Sequence, residues 1–321
     1  MTAQPLIDVA HAVIERLRSK VIGQEDVVKF VVMTVLCRGH TLLTGAPGVA
    51  KTMLVRNLAG TLGCGYKRIQ FTPDLTPFDI LGGEVISFDA VNPDIKRIVF
   101  AAGPIFAPFV LADEINRASP RTQSALLEAM QERQVSINGQ THLLPRPFYV
   151  FATQNPIESD GTFPLPDAQL DRFLFNIEVP YPPFEAERII ATLDLRNTDA
   201  EEVPGAQSLF QAWEVVQAFP MDDALVDACV RLVKNTRPQE TTLGFVRDFI
   251  NYGASPRATQ ALVLGARASA LISGRSQVTI DDIVLVAPAV LRHRIQLSYR
   301  AAAERLDTNA LVKRVLAETV V

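Results

Sequence analysis

The sequence predicts an α/β fold, in which a parallel sheet lies between helices and a smaller all-α region follows. Short, continuous apolar runs recur through the first half of the chain, as is typical of strands that are buried on both faces. These runs stop at Val179, where a proline-rich stretch begins, and the remaining pattern is helical. We therefore expect a core at residues 1–180, a linker at 181–204 and a helical domain at 205–321.

The elements follow in order from local patterns. The chain opens with apolar residues at helical spacing, and a turn at Val21–Glu25 leads into a second helical pattern. Asn138-Gly139 lies between two strand-like segments and predicts a β-hairpin. Five strands are expected at Thr41–Thr44, Arg68–Phe71, Phe109–Ala112, Phe148–Thr153 and Leu174–Val179.

Two helices of the second part have clear start signals. Ser255 and Pro256 suit the cap and first residue of a helix that ends near Gly274. Thr279 and Asp282 have the spacing of a capping box, which predicts one more helix.

Composition narrows the classes of function. The net charge is −4, from 31 basic and 35 acidic residues among 321, so the chain as a whole does not favour nucleic acid or anionic membranes. We see no basic stripe with interleaved aromatic residues, and no apolar run long enough to insert into a membrane. The start of the chain lacks a signal-peptide pattern, and the three cysteines are scattered. We therefore expect a cytoplasmic protein.

A glycine-containing loop between a strand and a helix is the main chemical signal. Backbone N–H groups of such a loop can face a phosphate, and the N-terminus of the helix adds a partial positive charge. Lys51 would reach the β- and γ-phosphates of ATP, and the Thr52 hydroxyl would bind Mg²⁺. The residues expected to bind nucleotide here are Gly45, Ala46, Pro47, Gly48, Val49, Ala50, Lys51 and Thr52. Gly23, in the turn before the second helix, is assigned to the same site.

Ala50 departs from the strict phosphate-loop pattern, which has glycine at this position. Alanine is tolerable there if the residue has helix-like dihedral angles, because only a positive φ demands glycine. The departure puts the rate of catalysis in more doubt than the binding of nucleotide.

Polar residues end two further strands. Asp113 suits the coordination of Mg²⁺, and Glu114 suits polarisation of the attacking water. Asn155 follows another apolar strand, and ligands of open α/β sheets collect at the carboxyl ends of strands. Asn155 could therefore orient the water beside Glu114.

Two arginines occupy unusual positions. Arg257 falls in the first turn of a predicted helix, where a cation opposes the helix dipole unless an anion lies nearby. That anion could be a γ-phosphate or a neighbouring carboxylate. Arg172 precedes the last core strand, where it could act on the nucleotide of an adjacent subunit or form a plain surface pair with Asp171.

The motifs together resemble the MoxR family of AAA+ ATPases. The resemblance extends from about Val21 to Arg294 and therefore covers nearly the whole chain. It is carried by Gly45–Thr52, Asp113–Ala118, Thr122–Glu128, Ala152–Pro156 and Leu170–Phe173, with support from Pro77–Ile80, Phe100–Phe106 and Gly253–Ala258.

The resemblance implies a P-loop AAA+ core with a five-stranded parallel sheet between helices, followed by a helical lid, with ATP in the cleft between them. It implies that Asp113 and Glu114 form the Walker B pair and that Asn155 is sensor one. Arg257 would be sensor two, and Arg172 an arginine finger acting across a subunit interface. The resemblance also implies insertions at Gly103–Phe106 and at the Asn138-Gly139 hairpin, where such rings usually meet their clients.

These features favour a chaperone-like ATPase that assembles as a hexameric ring and remodels or activates other proteins. The resemblance further suggests a partner with a von Willebrand factor A domain. One alternative is the ATPase subunit of a magnesium chelatase. Another is an ATP-gated scaffold with little turnover, although Glu114 and Asn155 argue against it.

Overall fold

The computed structural model describes residues 3–88, 96–156, 161–193 and 199–319. Within these residues, five parallel strands form a central sheet: β1 (Thr41–Thr44), β2 (Tyr66–Gln70), β5 (Phe109–Asp113), β8 (Tyr149–Gln154) and β9 (Phe175–Glu178). Their order across the sheet is β2–β5–β8–β1–β9. All five predicted strands are therefore confirmed, with ends that differ by at most two residues.

Helices surround the sheet and form most of the second part of the chain. The first part contains α1 (Ala3–Arg18), α2 (Glu25–Leu36), α3 (Lys51–Thr61), α4 (Pro77–Leu81), α5 (Pro120–Glu132) and α6 (Asp167–Leu170). The second part contains α7 (Phe184–Ile190), α8 (Ala212–Gln217), α9 (Asp223–Lys234), α10 (Gly244–Phe249), α11 (Pro256–Ile272), α12 (Ile280–Leu291), α13 (Tyr299–Ala303) and α14 (Thr308–Thr319). Short 3₁₀ turns lie at Ile115–Arg117 and Ala206–Gln211.

The start signals of the two lid helices are confirmed. The Ser255 hydroxyl accepts a hydrogen bond from the Arg257 N–H, and Pro256 is the first residue of α11. Thr279 and Asp282 form the expected capping box at the start of α12. The second part also contains one short antiparallel ribbon, formed by β10 (Ile250–Tyr252) and β11 (Gln296–Leu297), which the helical pattern did not predict.

Two β-hairpins extend from the core. The predicted hairpin at Asn138-Gly139 is present as β6 (Gln134–Ile137) and β7 (Gln140–Leu143). A second hairpin pairs β3 (Gly82–Phe88) with β4 (Lys96–Ala102) between α4 and the Gly103–Phe106 segment. Most side chains of β3 and β4 are exposed, so the sequence lacks the alternation of polar and apolar residues that marks a half-buried strand.

The apolar core lies on both faces of the central sheet. Successive strand residues point to opposite faces, so Leu43 packs in one cluster and Leu42 in the other. The first cluster extends from α1 and α2 across the sheet into α11, α12 and α14. The second cluster packs α4 and α5 against the opposite face. The sheet is therefore covered on both sides, as its continuous apolar strands predict.

The stretch predicted as a linker contains α7, and residues 194–198 lie outside the described residues. The division into a core at 1–180, a linker at 181–204 and a lid at 205–321 stays a prediction. A search of the described helices for length and apolar character finds none that could cross a lipid bilayer.

Candidate nucleotide site

The strand ends that carry polar residues meet at one edge of the sheet. Thr44 of β1 lies between Gln154 of β8 and Glu178 of β9, and Gln70 of β2 pairs with Asp113 of β5. Because all five strands run in parallel, their carboxyl ends form the rim at which ligands of open α/β sheets bind.

The phosphate loop connects β1 to α3 at this rim. Its first residue, Gly45, packs against the neighbouring strands. The Gly45 N–H donates to the Gln154 carbonyl of β8 at 3.3 Å. A Cβ on Gly45 would lie 2.5 Å from the Val179 carbonyl oxygen, so no side chain fits there. The loop ends where α3 begins at Lys51, and the first N–H groups of a helix have no acceptor within it. The site therefore offers backbone donors and a helix N-terminus to an anion.

Lys51 lies inside the loop. Its Nζ donates to the carbonyls of Gly45 at 2.5 Å and Ala46 at 2.9 Å. Burial lowers the pKa of Lys51 below its ordinary value, and the nearby carboxylates of Asp113 and Glu114 partly oppose this shift. A desolvated ammonium beside two carbonyl oxygens gains from an incoming phosphate, which would offer it a stronger, charged acceptor.

Ala50 does not have the helix-like dihedral angles that would make alanine tolerable at this position without strain. Its φ is 63° and its ψ is 18°, so it occupies the left-handed region. Ala50 is the N-cap of α3, so this left-handed residue joins the loop to the helix. For alanine this conformation costs about 1–2 kcal/mol, because its Cβ crowds the following carbonyl oxygen.

Asp113 and Thr52 face each other beside the loop. The Thr52 hydroxyl donates to Asp113 Oδ2 at 3.3 Å, and the Thr153 hydroxyl donates to Asp113 Oδ1 at 2.6 Å. Asp113 is only 7% exposed, so these contacts fix the orientation of its carboxylate. The pair presents the hard oxygen donors that Mg²⁺ prefers, and the residues therefore fit this ion.

Glu114 follows directly and is held by two side chains. Gln70 Nε2 donates to Glu114 Oε2 at 2.9 Å, and Arg117 Nε lies 3.0 Å from the same oxygen. The backbone of Glu114 is left-handed, with φ 57°, and its N–H donates to the Thr153 hydroxyl at 2.8 Å. This backbone turn brings two adjacent acids to one cavity of about 350 Å³, which Lys51 and Asn155 also line.

Sequence reasoning missed Arg68 and Gln70 in this site. Arg68 Nε donates to Asp113 Oδ2 at 2.8 Å, and its guanidinium also contacts Gln70. Arg68 lies on the edge strand β2 and its side chain is 49% exposed, so burial gave no signal in the sequence that its charge needs a partner. Its partner, Asp113, lies on the neighbouring strand.

A second cavity, of about 310 Å³, lies between α2, β9 and α12. Gly23, Gln24 and Arg292 are among the residues that line it. Gln24 Nε2 donates to the Val49 carbonyl at 3.0 Å, which connects this cavity to the phosphate loop. The structure thus places Gly23 beside a pocket next to the loop, at the contact between the core and the lid helix α12.

Arg172 and Arg257 lie elsewhere. Both line a cleft of about 790 Å³ between the core and the lid, and neither lines the cavity around Lys51. Arg172 Nη1 donates to the Leu127 carbonyl at 2.7 Å, and Arg257 Nη1 lies 4.0 Å from Asp171 Oδ2. Asp171 is therefore an anionic neighbour of Arg257 within its own chain.

The cleft is strongly basic. Among the described residues that line it, six are arginines and one is an acid, Asp171. The arginines are Arg38, Arg133, Arg172, Arg257, Arg267 and Arg294. Such a surface favours an anionic group from outside the chain.

Comparison with known proteins agrees with this geometry. Residues 40–175 match the family model of the ATPase family associated with various cellular activities (AAA), and residues 245–315 match that of the AAA lid domain. Chaperone MoxR1 of Mycobacterium tuberculosis is 44% identical over 298 residues, which cover 92% of this chain and 78% of that protein. The uncharacterized protein YeaC of Bacillus subtilis is 40% identical over 306 residues, which cover 94% and 92% of the two chains.

A crystal structure of a protein from Cytophaga hutchinsonii, described as an ATPase, superposes with a TM-score of 0.88. The two proteins are 36% identical, and the match covers 98% of this chain and 95% of the other. The AAA family model spans the residues of the phosphate loop and the paired acids, and the lid model spans most of the helical second part. The chain belongs to the MoxR family of AAA+ ATPases.

Proposed function

We propose that this AAA+ ATPase uses ATP hydrolysis to remodel or activate partner proteins. The observation that carries the proposal is the cavity that brings Lys51, Thr52, Asp113, Glu114 and Asn155 together at the sheet edge. A phosphate-binding loop, an oxygen pair suited to Mg²⁺ and a carboxylate beside them are the parts that phosphoryl transfer requires.

Each residue then has a role in hydrolysis. The loop from Gly45 to Ala50 and the Lys51 ammonium bind the phosphates of ATP. Thr52 and Asp113 hold Mg²⁺, which supplies charge neutralisation on the phosphate oxygens when it is bound. Glu114 polarises the attacking water, and Asn155 orients it. Glu114 acts in this way once its carboxylate turns from Gln70 and Arg117 toward the water.

The cavity beside Gly23 receives the base and ribose of ATP. It lies next to the phosphate loop through the bond from Gln24 to the Val49 carbonyl, and α12 closes its other side. Bound nucleotide would therefore touch both the core and the lid, which would let its presence influence their relative position.

Arg172 and Arg257 act on the nucleotide of an adjacent copy of the chain. Their place in a basic cleft apart from Lys51, where Asp171 is the one acid among the described lining residues, supports this proposal. An arginine that contacts the developing charge on the transferred phosphoryl group raises the rate of hydrolysis by a factor of about 10³–10⁵. We propose a ring of such copies, with six as the expected number.

The client is a protein. The relative named Chaperone MoxR1 supports a chaperone-like role. Apolar side chains on the β3–β4 hairpin provide a surface to contact it, because Ile86 is 63% exposed and Ile98 is 70% exposed. A protein with a von Willebrand factor A domain stays our expected partner, and the cytoplasm stays our expected location. The chelatase alternative is less supported, since a chaperone is the relative that shares 44% identity.

The test is steady-state phosphate release with Mg-ATP, comparing the wild-type protein with Glu114→Gln. We expect turnover in the wild type and a loss of at least about 100-fold in the variant, with ATP binding retained. Lys51→Ala is the matched control, since it should lose binding as well. Wild-type protein that binds ATP without turnover at any protein concentration would support the ATP-gated scaffold instead.

A further inference from the structure

Three consecutive residues after α12 hydrogen-bond to the segment that carries Arg172. We call Arg292, His293 and Arg294 the Arg-His-Arg clamp. The clamp belongs to the lid, whereas the segment it holds, 171–178, is the end of the core sheet together with the loop before β9. The proposed role of Arg172 depends on where this loop lies.

Arg294 makes the largest share of these contacts. Its Nε donates to Asp171 Oδ1 at 2.8 Å, and its Nη2 donates to the Phe173 carbonyl at 2.6 Å. Longer bonds reach the carbonyls of Asp171 and Leu174, at 3.3 and 3.2 Å. The Arg294 side chain is only 3% exposed. One buried guanidinium therefore fixes the residues on both sides of Arg172.

The two other clamp residues also bind backbone carbonyls of this segment. His293 Nε2 lies 3.1 Å from the Phe173 carbonyl, and burial lowers the pKa of this ring well below its ordinary value. Since a carbonyl only accepts, Nε2 carries the proton and donates it. Arg292 Nη1 donates to the Asn176 carbonyl at 3.2 Å.

Asp171 connects this clamp to the second arginine of the cleft. Its Oδ2 accepts from the Ser255 hydroxyl at 2.9 Å and lies 4.0 Å from Arg257 Nη1. Ser255 is the N-cap of α11, and Arg257 lies in its first turn. A single carboxylate thus joins the start of α11, the end of α12 and the loop that carries Arg172.

We infer that Arg294 is a positioning residue for Arg172: it holds the arginine loop to the lid, so that Arg172 and Arg257 move as one unit. This inference rests on the proposed action of Arg172 on a neighbouring nucleotide. A lid that shifts when it contacts nucleotide in its own site would carry Arg172 with it. The state of one site would then set the geometry at the next.

The substitution Arg294→Lys tests the inference. Lysine keeps a cation for Asp171, but its compact ammonium cannot reproduce the planar fork that reaches several carbonyls at once. A displacement of about 1 Å at a catalytic group can cost about 100-fold in rate. We expect kcat for ATP to fall at least about tenfold, with KM within about twofold of wild type.

Arg275→Lys is the matched control. Arg275 also pairs with a buried acid of the lid, Asp282, but at the opposite end of α12 and away from the arginine loop. This control should keep kcat within about twofold of wild type. An equal loss of kcat in both variants would show a general effect on lid stability and overturn the inference.

Mixing experiments locate the defect. Arg294→Lys subunits keep an intact phosphate loop and an intact Glu114, and Glu114→Gln subunits keep bound ATP and an intact Arg172. Mixed rings should therefore turn over faster than either variant alone. Absence of recovery would place the Arg294 defect in its own nucleotide site and would contradict the inference.

The outcomes separate two failures. Wild-type kcat in Arg172→Ala would refute the proposed arginine function itself. A strong loss in Arg172→Ala beside wild-type kcat in Arg294→Lys would refute only the positioning role. If Arg294→Lys does not fold, Asp171→Asn tests the same contact from the core side, with the same expected fall in kcat at nearly constant KM.

Discussion

Ala50 closes the phosphate loop in a left-handed conformation that glycine adopts freely. Ala50→Gly removes the strain of about 1–2 kcal/mol, while the greater freedom of glycine in the unfolded chain costs about 0.5–1 kcal/mol. We therefore expect the free energy of unfolding to rise by about 0.5–1 kcal/mol, measured by urea denaturation without nucleotide.

Ala125→Gly is the matched control, since Ala125 lies inside α5 and its replacement should destabilise by about 1 kcal/mol. Equal losses at positions 50 and 125 would contradict the strain argument.

His40 is a buried residue whose protonation should oppose folding. Its Nδ1 accepts from the Val150 N–H at 3.0 Å, and burial lowers the pKa of His40 to about 4. The unfolded ring titrates near 6.5, so between these values the unfolded state binds the extra proton. Stability should therefore fall as pH decreases from about 6.5 to 4, by up to about 1.4 kcal/mol per pH unit from this group.

Urea unfolding at several pH values in this window measures the effect. His40→Gln, whose amide oxygen can still accept from Val150, should show a shallower decline than wild type. Identical slopes for the two proteins would exclude His40 as a source of the pH dependence.

The sequence identified those site residues whose chemistry lies in one contiguous motif. Lys51 and Thr52 follow a loop, and Asp113 and Glu114 end a strand, so local pattern sufficed. Arg68 and Arg294 were missed, because their partners come from other elements. Arg294 acts on a loop 120 or more positions away in the chain, and no local spacing indicates such a contact.

At the scale of elements, the two hairpins form one projecting unit. The rings of Phe100 and His142 stack with centroids 3.8 Å apart, and Asn138 Nδ2 donates to Glu84 Oε2 at 2.8 Å. These contacts join β4 to β7 and the hairpin turn to β3. The exposed apolar residues of β3 and β4 therefore lie on a surface that contacts with the second hairpin hold in place.

The double variant Ile86→Asp/Ile98→Asp tests whether this surface meets the client. Both side chains are mostly exposed, so the free energy of unfolding should change by no more than about 0.5 kcal/mol each. Basal ATP turnover should persist. In the Glu114→Gln background held in ATP, we expect the variant to retain less client in a pull-down than the parent protein does.

Tyr299→Ser provides the control, because Tyr299 is 89% exposed on α13, away from the hairpins. It should retain the client at the level of the parent. Equal retention by all three proteins would mean that the hairpins do not hold the client.

The same scale shows what local patterns predict well. The central strands β5 and β8 were found because burial on both faces makes their sequences almost continuously apolar. The hairpin at Asn138-Gly139 was found from its turn residues. The β3–β4 hairpin was not, since strands that face solvent on both sides carry no characteristic periodicity.

At the scale of the whole molecule, one apolar cluster joins the N-terminal helices, one face of the sheet and the lid. This continuity would limit lid motion to small shifts of packed helices rather than free swinging. Because the core and the lid share this cluster, the change in composition after Val179 does not fix the boundary between them.

The assembly prediction belongs to this scale. Because Arg172 would complete the site of another copy, specific ATPase activity should rise with protein concentration as rings form. Mixing Arg172→Ala with Lys51→Ala subunits should restore part of the turnover that each has lost. Lys51→Ala mixed with Glu114→Gln serves as the control, since both defects lie in the subunit's own site and no mixed interface has an intact phosphate loop and an intact Glu114.

Activity that is independent of concentration, with no recovery in the arginine mixture, would contradict action across an interface.

The charge of the basic cleft also predicts how ring formation depends on the anion of the buffer. Six guanidinium groups around one carboxylate repel one another, so a lone subunit should recruit small anions there. A polyvalent buffer anion such as phosphate should bind among these arginines more tightly than chloride does. Those ions would have to be expelled before a neighbour could dock, and ring formation should therefore weaken more in phosphate than in chloride at matched ionic strength.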